Sequence, residues 1–384
     1  MSRIRVEPFT DEPEGIRAIT DYWAQNDDLT FTHKVGATAA ALGIRERDVV
    51  RLVTQFSRAY VPDWPCGACG GIRPLASRAE YTRARLDRLA WYCRGCLERF
   101  AAEADAARRT EVEKHYPGTA SPSHPPGLVD RVFLLALARI GRSASDGSVG
   151  PLAEANPPLS PTAYEDDQIL ARLHERGHIA VDPASDPAAF EWDEYDRPEG
   201  FDLLRVKWKL PDVPLASAES HLVREVLAGT SEGDHAALLR LCRTVLVQEC
   251  FQFLELVLDR NQFPFYPGRG TRELFDQLVE DFSVAQIYNL IWRSAREAVA
   301  YAERAAITPE HAGATVVHEI SRKAEYTLSR GLELKPYRRD WGAPRSRLSE
   351  VLFDLLLEIG EDPAFLAPWR ALQDLVTERI ADAR

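Results

Sequence analysis

Positive charge is in short supply in this chain. Its 384 residues carry 47 Lys+Arg against 59 Asp+Glu, a formal net charge of −12. That excludes a uniformly basic nucleic-acid coat, so any such binding must come from a local patch. Long apolar runs are also missing. The longest, residues 132–138, falls far short of the roughly 20 residues that cross a membrane. Residues 1–7 contain no apolar stretch of the kind a secretory signal needs. A cytoplasmic protein without a membrane partner is therefore expected. No Gly-rich phosphate loop, H-E-x-x-H pair or G-x-S-x-G elbow is present. The chain announces no reaction, and a binding protein is expected rather than an enzyme.

Cysteine is sparse but patterned. The six are Cys66, Cys69, Cys93, Cys96, Cys242 and Cys250. A reducing compartment argues against a disulfide framework. Four of them form two C-x-x-C pairs, and two residues between cysteines let both sulfurs converge on one ion. Gly67, Gly70 and Gly95 suit the tight turns that aim backbone N–H groups at the thiolates. Cys66, Cys69, Cys93 and Cys96 are expected to bind one structural Zn²⁺ per chain in a zinc ribbon or a related two-knuckle module. Four thiolates leave no open position for a catalytic water. The 23 residues between the pairs leave room for an inserted hairpin or helix. Cys242 and Cys250 lie on one apolar helical stretch and read as core thiols.

With 45% hydrophobic and 28% charged residues, the composition is that of a globular protein with more than one core. The fold class expected is mainly α, in four parts. Residues 1–116 form a helix-turn-helix plus zinc-ribbon module. Residues 117–126, rich in Pro and Ser, form a linker. Residues 127–212 form a small α+β unit resembling a winged helix, with a buried helix over 128–140 and strands over 178–181 and 201–210. Residues 213–384 form an all-helical domain, because Leu238, Cys242, Val245, Leu246, Phe253 and Val257 repeat at three- and four-residue steps. Thr271, Ser283 and Thr308 stand where helix starts need a hydroxyl cap. Gly331 stands where a left-handed helix end belongs.

Residues 35–52 resemble the helix-turn-helix of bacterial DNA-binding proteins. Ala39 is small where two helices cross. Gly43, four later, suits a turn that needs φ > 0. The second helix carries Arg45, Arg47 and Arg51, which would face guanine edges or phosphates in the major groove. Residues 29–100 hold twelve Lys/Arg against six acids. Within them Arg73 and Arg78 add to the basic patch, and Arg83, Arg85 and Arg88 are candidate phosphate contacts.

Other signals are weaker. The segment 322–347 interleaves eight basic residues with Tyr337 and Trp341, which suits backbone binding but better suits helix-end cations and half-buried aromatics. Glu333 and Lys335 form an E-x-K triplet without the neighbouring strand a nuclease needs. Residues 163–202 carry twelve acids and three arginines, a solvated loop or a dock for a basic protein. Three readings follow. The first is a zinc-containing protein that binds duplex DNA, as a transcriptional regulator or accessory subunit, and associates with itself through its C-terminal helices. The second is an interaction subunit whose zinc only staples the fold. The third is a nucleic-acid-processing enzyme whose site escapes motif reading.

Overall fold

Pro13 opens the first helix, where its missing N–H costs nothing. Helix α1 (Pro13–Trp23) buries Ala18, Ile19, Tyr22 and Trp23 along one face. The computed structural model describes residues 3–86, 90–141, 147–211, 231–264, 268–305 and 307–382. Among these the chain is mainly helical with small antiparallel sheets. It divides into two compact units, Met1–Ala107 and Arg108–Arg384.

In the first unit α2 (Val35–Leu42) stops at Gly43, whose φ of 66° places it in the left-handed region. The N–H groups of Gly43 and Ile44 turn back to the carbonyls of Ala40 and Ala39. Helix α3 (Glu46–Phe56) follows after two residues and buries Val49 and Val53. Helices α1, α2 and α3 pack on one another. Three strands, β1 (Arg5–Pro8), β2 (Ser57–Pro65) and β3 (Ile72–Leu75), form an antiparallel sheet in that order. Ala59, Val61 and Leu75 of this sheet join the helices' core. Helix α4 (Arg78–Leu86) comes next, and α5 (Arg94–His115) runs across the point where the two units divide.

The second unit begins its core at Val112 and at α6 (Leu128–Ile140), whose bounds are those expected from sequence. The Thr162 hydroxyl caps α7 (Ala163–Glu175). Strands β4 (Ser148–Val149), β5 (Ala180–Val181) and β8 (Trp208–Lys209) form a sheet in the order β4-β8-β5. The chain between β5 and β8 makes a separate hairpin, β6 (Phe190–Trp192) with β7 (Pro198–Phe201). The strand expected over 201–210 is thus two strands with a turn between them. Asp202 causes the break: its carboxylate accepts the Leu204 N–H at 2.9 Å, and its carbonyl accepts from Arg205 and Val206.

The helical half comprises Glu232–Arg260, Arg269–Asp281, Val284–Ala305, Pro309–Ser329, Arg347–Glu350, Glu361–Leu366 and Trp369–Asp382. A π-helical turn, Val351–Leu356, prolongs the short fifth helix. Ser283 and Gln286 exchange hydrogen bonds at one helix start, and Thr308 caps another. Thr271 does not cap; it is buried inside its helix, which begins after Gly268. One continuous core holds Val132, Leu170 and Trp208 together with Leu254, Ile291 and Leu352. Residues 127–212 therefore share their core with the helical half. No helix among the described residues is long and apolar enough to cross a membrane.

Candidate metal centre

Strand β2 ends at Pro65 and delivers Cys66 to a tight loop. The Cys66 N–H donates to the Gly71 carbonyl at 2.7 Å, and the Gly70 N–H donates to the Cys66 carbonyl at 2.9 Å. Gly70 has a φ of 68°, so it supplies the left-handed residue that closes the loop between β2 and β3. Gly67 serves differently from what the sequence suggests. Its φ is ordinary, but a Cβ there would sit 3.2 Å from the Tyr92 ring. A small residue lets the aromatic ring lie across the first knuckle. The Gly67 N–H also donates to the Trp91 carbonyl at 2.9 Å, tying the two knuckles together.

The second knuckle opens α5. Leu97 donates to the Cys93 carbonyl at 3.0 Å, so Cys93 and Cys96 are held by the helix's first turn. Strand β3 and helix α4 fill the sequence between the knuckles. The four sulfurs of Cys66, Cys69, Cys93 and Cys96 lie within 4.8 Å of one another. Cys69 and Cys93 approach to 3.7 Å. A metal–sulfur bond of about 2.3 Å in a tetrahedron requires sulfurs about 3.8 Å apart. The cluster can therefore hold one metal ion without a large movement. Cys66 and Cys96 are buried, Cys93 is half-buried and Cys69 is exposed.

Backbone N–H groups prepare the cluster for charge. Those of Cys69 and Cys93 lower the Cys66 thiol to about 6, and the Cys93 N–H lies 3.3 Å from the Cys66 sulfur. Hydrogen bonding to Cys93, together with burial, pushes the Cys96 thiol up to about 12. Four neighbouring sulfurs do not ionise together without a cation among them.

The candidate nucleic-acid contacts divide. Arg45, Arg47 and Arg51 are exposed on or just before α3, and Arg83 and Arg85 are exposed on α4. Arg45 donates to Asp48 at 2.9 Å, and that bond holds the Asp48 carboxyl below the usual carboxylate range. Arg88 lies outside the described residues. Arg78, counted with the basic patch in the sequence, turns inward. It donates to the Tyr22 carbonyl at 2.6 Å and the His33 carbonyl at 2.5 Å. Its guanidinium lies over the Tyr22 and Phe31 rings, 4.5 and 4.4 Å from their centroids. Arg78 thus seals the C-terminal end of α1. Sequence reasoning missed this role; the Tyr-Trp pair ending α1 was the available signal.

Several of the weaker signals resolve into ion pairs or packing. Arg322, Lys323, Arg339, Arg345 and Arg347 all pair with carboxylates. Cys242 and Cys250 are fully buried, and burial pushes the Cys242 thiol up to about 12. The His174 ring packs on Phe201 and Trp208, and buried His178 lies 3.9 Å from Asp130. Asp193 and Asp196 of the acidic segment pair with Arg197 and Arg108. No known protein family, curated protein or solved structure matches this chain.

Proposed function

We propose that the chain is a DNA-binding regulator or accessory subunit whose N-terminal unit is stapled by zinc. The observation that carries this reading is the outer face of α3. Arg47, Arg51 and Gln55 stand four residues apart and are all exposed, while Val49 and Val53 hold the opposite face in the core. The succession of helix α2, the turn at Gly43 and helix α3 supports a helix-turn-helix reading, in which the second helix would enter the major groove. Arginine suits the O6 and N7 acceptors of guanine, and glutamine suits adenine. Arg83 and Arg85 suit phosphates.

Charge distribution supports the same division of labour. Acids and bases balance within Met1–Ala107, so the whole net charge of −12 belongs to Arg108–Arg384. Zinc is the ion that four thiolates in a closed tetrahedron suit best, and its role is then to hold the knuckles rather than to activate water.

The order β4-β8-β5 beside α7 supports a winged-helix-like reading of residues 127–212. Helix α7 of this unit is turned into the core, which favours a packing role for it. Asp166, Ile169, Leu170 and Leu173 bury α7, and its first turn is acidic. It serves as a platform for the helical half, which is proposed to self-associate; Leu332 and Trp341 are exposed there, Trp341 by 89%. Titration of the full chain against random duplex at several salt concentrations tests the DNA reading. Each phosphate contact contributes about −0.9 to the salt slope. A zero slope, or no binding at low salt, contradicts it.

A further inference from the structure

The four cysteines are not equivalent to solvent. Cys66 is 2% exposed and Cys96 is 4% exposed, whereas Cys69 lies open and Cys93 is half-buried. The two accessible sulfurs belong to different knuckles, and they lie 3.7 Å apart. A disulfide needs about 2.05 Å, so the remaining gap is under 2 Å. The accessible edge of the cluster is therefore an inter-knuckle pair, not either C-x-x-C pair.

We infer that Cys69 and Cys93 form a peroxide-sensitive modification site that opens the metal centre. This rests on the metal-centre reading of the four cysteines. The chemistry uses hydrogen peroxide as oxidant. The Cys69 thiolate attacks one peroxide oxygen, an S–O bond forms, the O–O bond breaks and hydroxide leaves. The resulting sulfenic acid is attacked by the Cys93 thiolate. An S–S bond forms, the S–O bond breaks and a second hydroxide leaves; with two protons from solvent the products are one disulfide and two waters. The two sulfurs together lose two electrons, and peroxide gains them. Cys66 and Cys96 alone would not close a tetrahedral shell, so a bound ion would be lost. Reduction by a dithiol restores both thiolates and the site.

Exposure selects the first sulfur. Cys69 sits in the loop between β2 and β3 with exposed neighbours Ala68 and Gly70, so peroxide reaches it without any opening of the core. Cys66, only three residues away, is 2% exposed and out of reach of solvent.

The test uses the full chain loaded with zinc and treated with up to one equivalent of hydrogen peroxide. Zinc release is followed with a chromophoric chelator, and the disulfide is located by peptide mapping without reduction. The expected result is one zinc released per disulfide formed, with the Cys69–Cys93 crosslink as the main product and recovery on adding dithiothreitol and zinc. Crosslinks of Cys66 to Cys69 or Cys93 to Cys96 as the main product overturn the inference, as does oxidation with the metal retained or resistance to peroxide in excess. Alkylation of the metal-loaded chain by iodoacetamide gives a second measurement, free of any substitution. Cys69 is modified first if the exposure argument holds, and Cys66 or Cys96 first overturns it. If the reduced chain takes up no metal at all, the metal-centre reading itself has failed, which is a separate outcome seen before peroxide is added.

Discussion

Replacing Arg78 with Ala should loosen the N-terminal unit and leave the helical half untouched. Arg78 makes two short bonds to backbone carbonyls, at 2.6 Å to Tyr22 and 2.5 Å to His33, and a longer one of 3.4 Å to Asp21. Hydrogen bonds to a charged group contribute about 1.5–3 kcal/mol each. The group is half-buried, so the lower end applies, and the two short bonds together contribute about 3 kcal/mol. The stack over Tyr22 and Phe31 adds about 1 kcal/mol. Truncation also leaves carbonyls at the end of α1 without their partner. Native-state hydrogen exchange, resolved by peptide, reads the effect locally. Opening of the peptides covering α3 and β2 should rise at least 100-fold, since about 1.4 kcal/mol is tenfold. Arg78→Lys keeps the charge but not the fork, and should recover about half of the loss. Exchange in the helix Glu232–Arg260 is the internal control. A change below threefold in α3 and β2, or an equal change in both units, refutes the reasoning.

Other perturbations have equally definite outcomes. Metal analysis of the reduced chain should find one zinc, and its removal should unfold the knuckles, because structural zinc contributes apparent binding energy of about 10–16 kcal/mol; intact reduced thiols without metal would count against the site. Burial, with help from Asp167 and Glu165, raises the Asp166 carboxyl from 3.8 to about 7. The folded state then holds a proton that the unfolded chain loses, so stability falls as pH rises from about 4 to about 7, by at most about 1.4 kcal/mol per unit. Urea midpoints for Asp166→Asn should fall less across that window than those of wild type; an unchanged profile refutes the assignment. Gly177→Ala should destabilise by more than about 2 kcal/mol, because φ is 72° and the new Cβ would lie 2.5 Å from the Ser121 carbonyl oxygen. A thermal midpoint within a degree of wild type would show that the segment at Ser121 yields freely.

What the sequence made legible was local. The two C-x-x-C pairs converge because metal geometry constrains only a few residues on either side of each cysteine. Helix α6 was legible to the residue because an apolar run between Gly127 and Gly141 has clear ends. Direction and long-range packing were not legible. Arg78 and Arg83 look alike in a charge count, yet one caps α1 and the other faces solvent. The Pro-rich stretch before α7 reads as a loop, but Leu159 is fully buried there, and the Pro158 and Leu159 carbonyls accept hydrogen bonds from Arg347 and Leu348. Those bonds join segments almost 190 residues apart, and no local pattern announces them. The strand over 201–210 was misread because its apolar alternation hid an Asp able to turn the chain.

The central claim is that α3 reads duplex DNA. Its most direct test is the affinity of the full chain, and of the Arg47→Ala/Arg51→Ala double variant, for genomic fragments at low salt. Wild type should bind selected fragments, and the double variant should lose about 1–3 kcal/mol per base contact there while keeping the weaker, salt-dependent binding proposed for Arg83 and Arg85. Equal binding by the two proteins, or no binding by either, would make the paired helices a structural hairpin and contradict the claim.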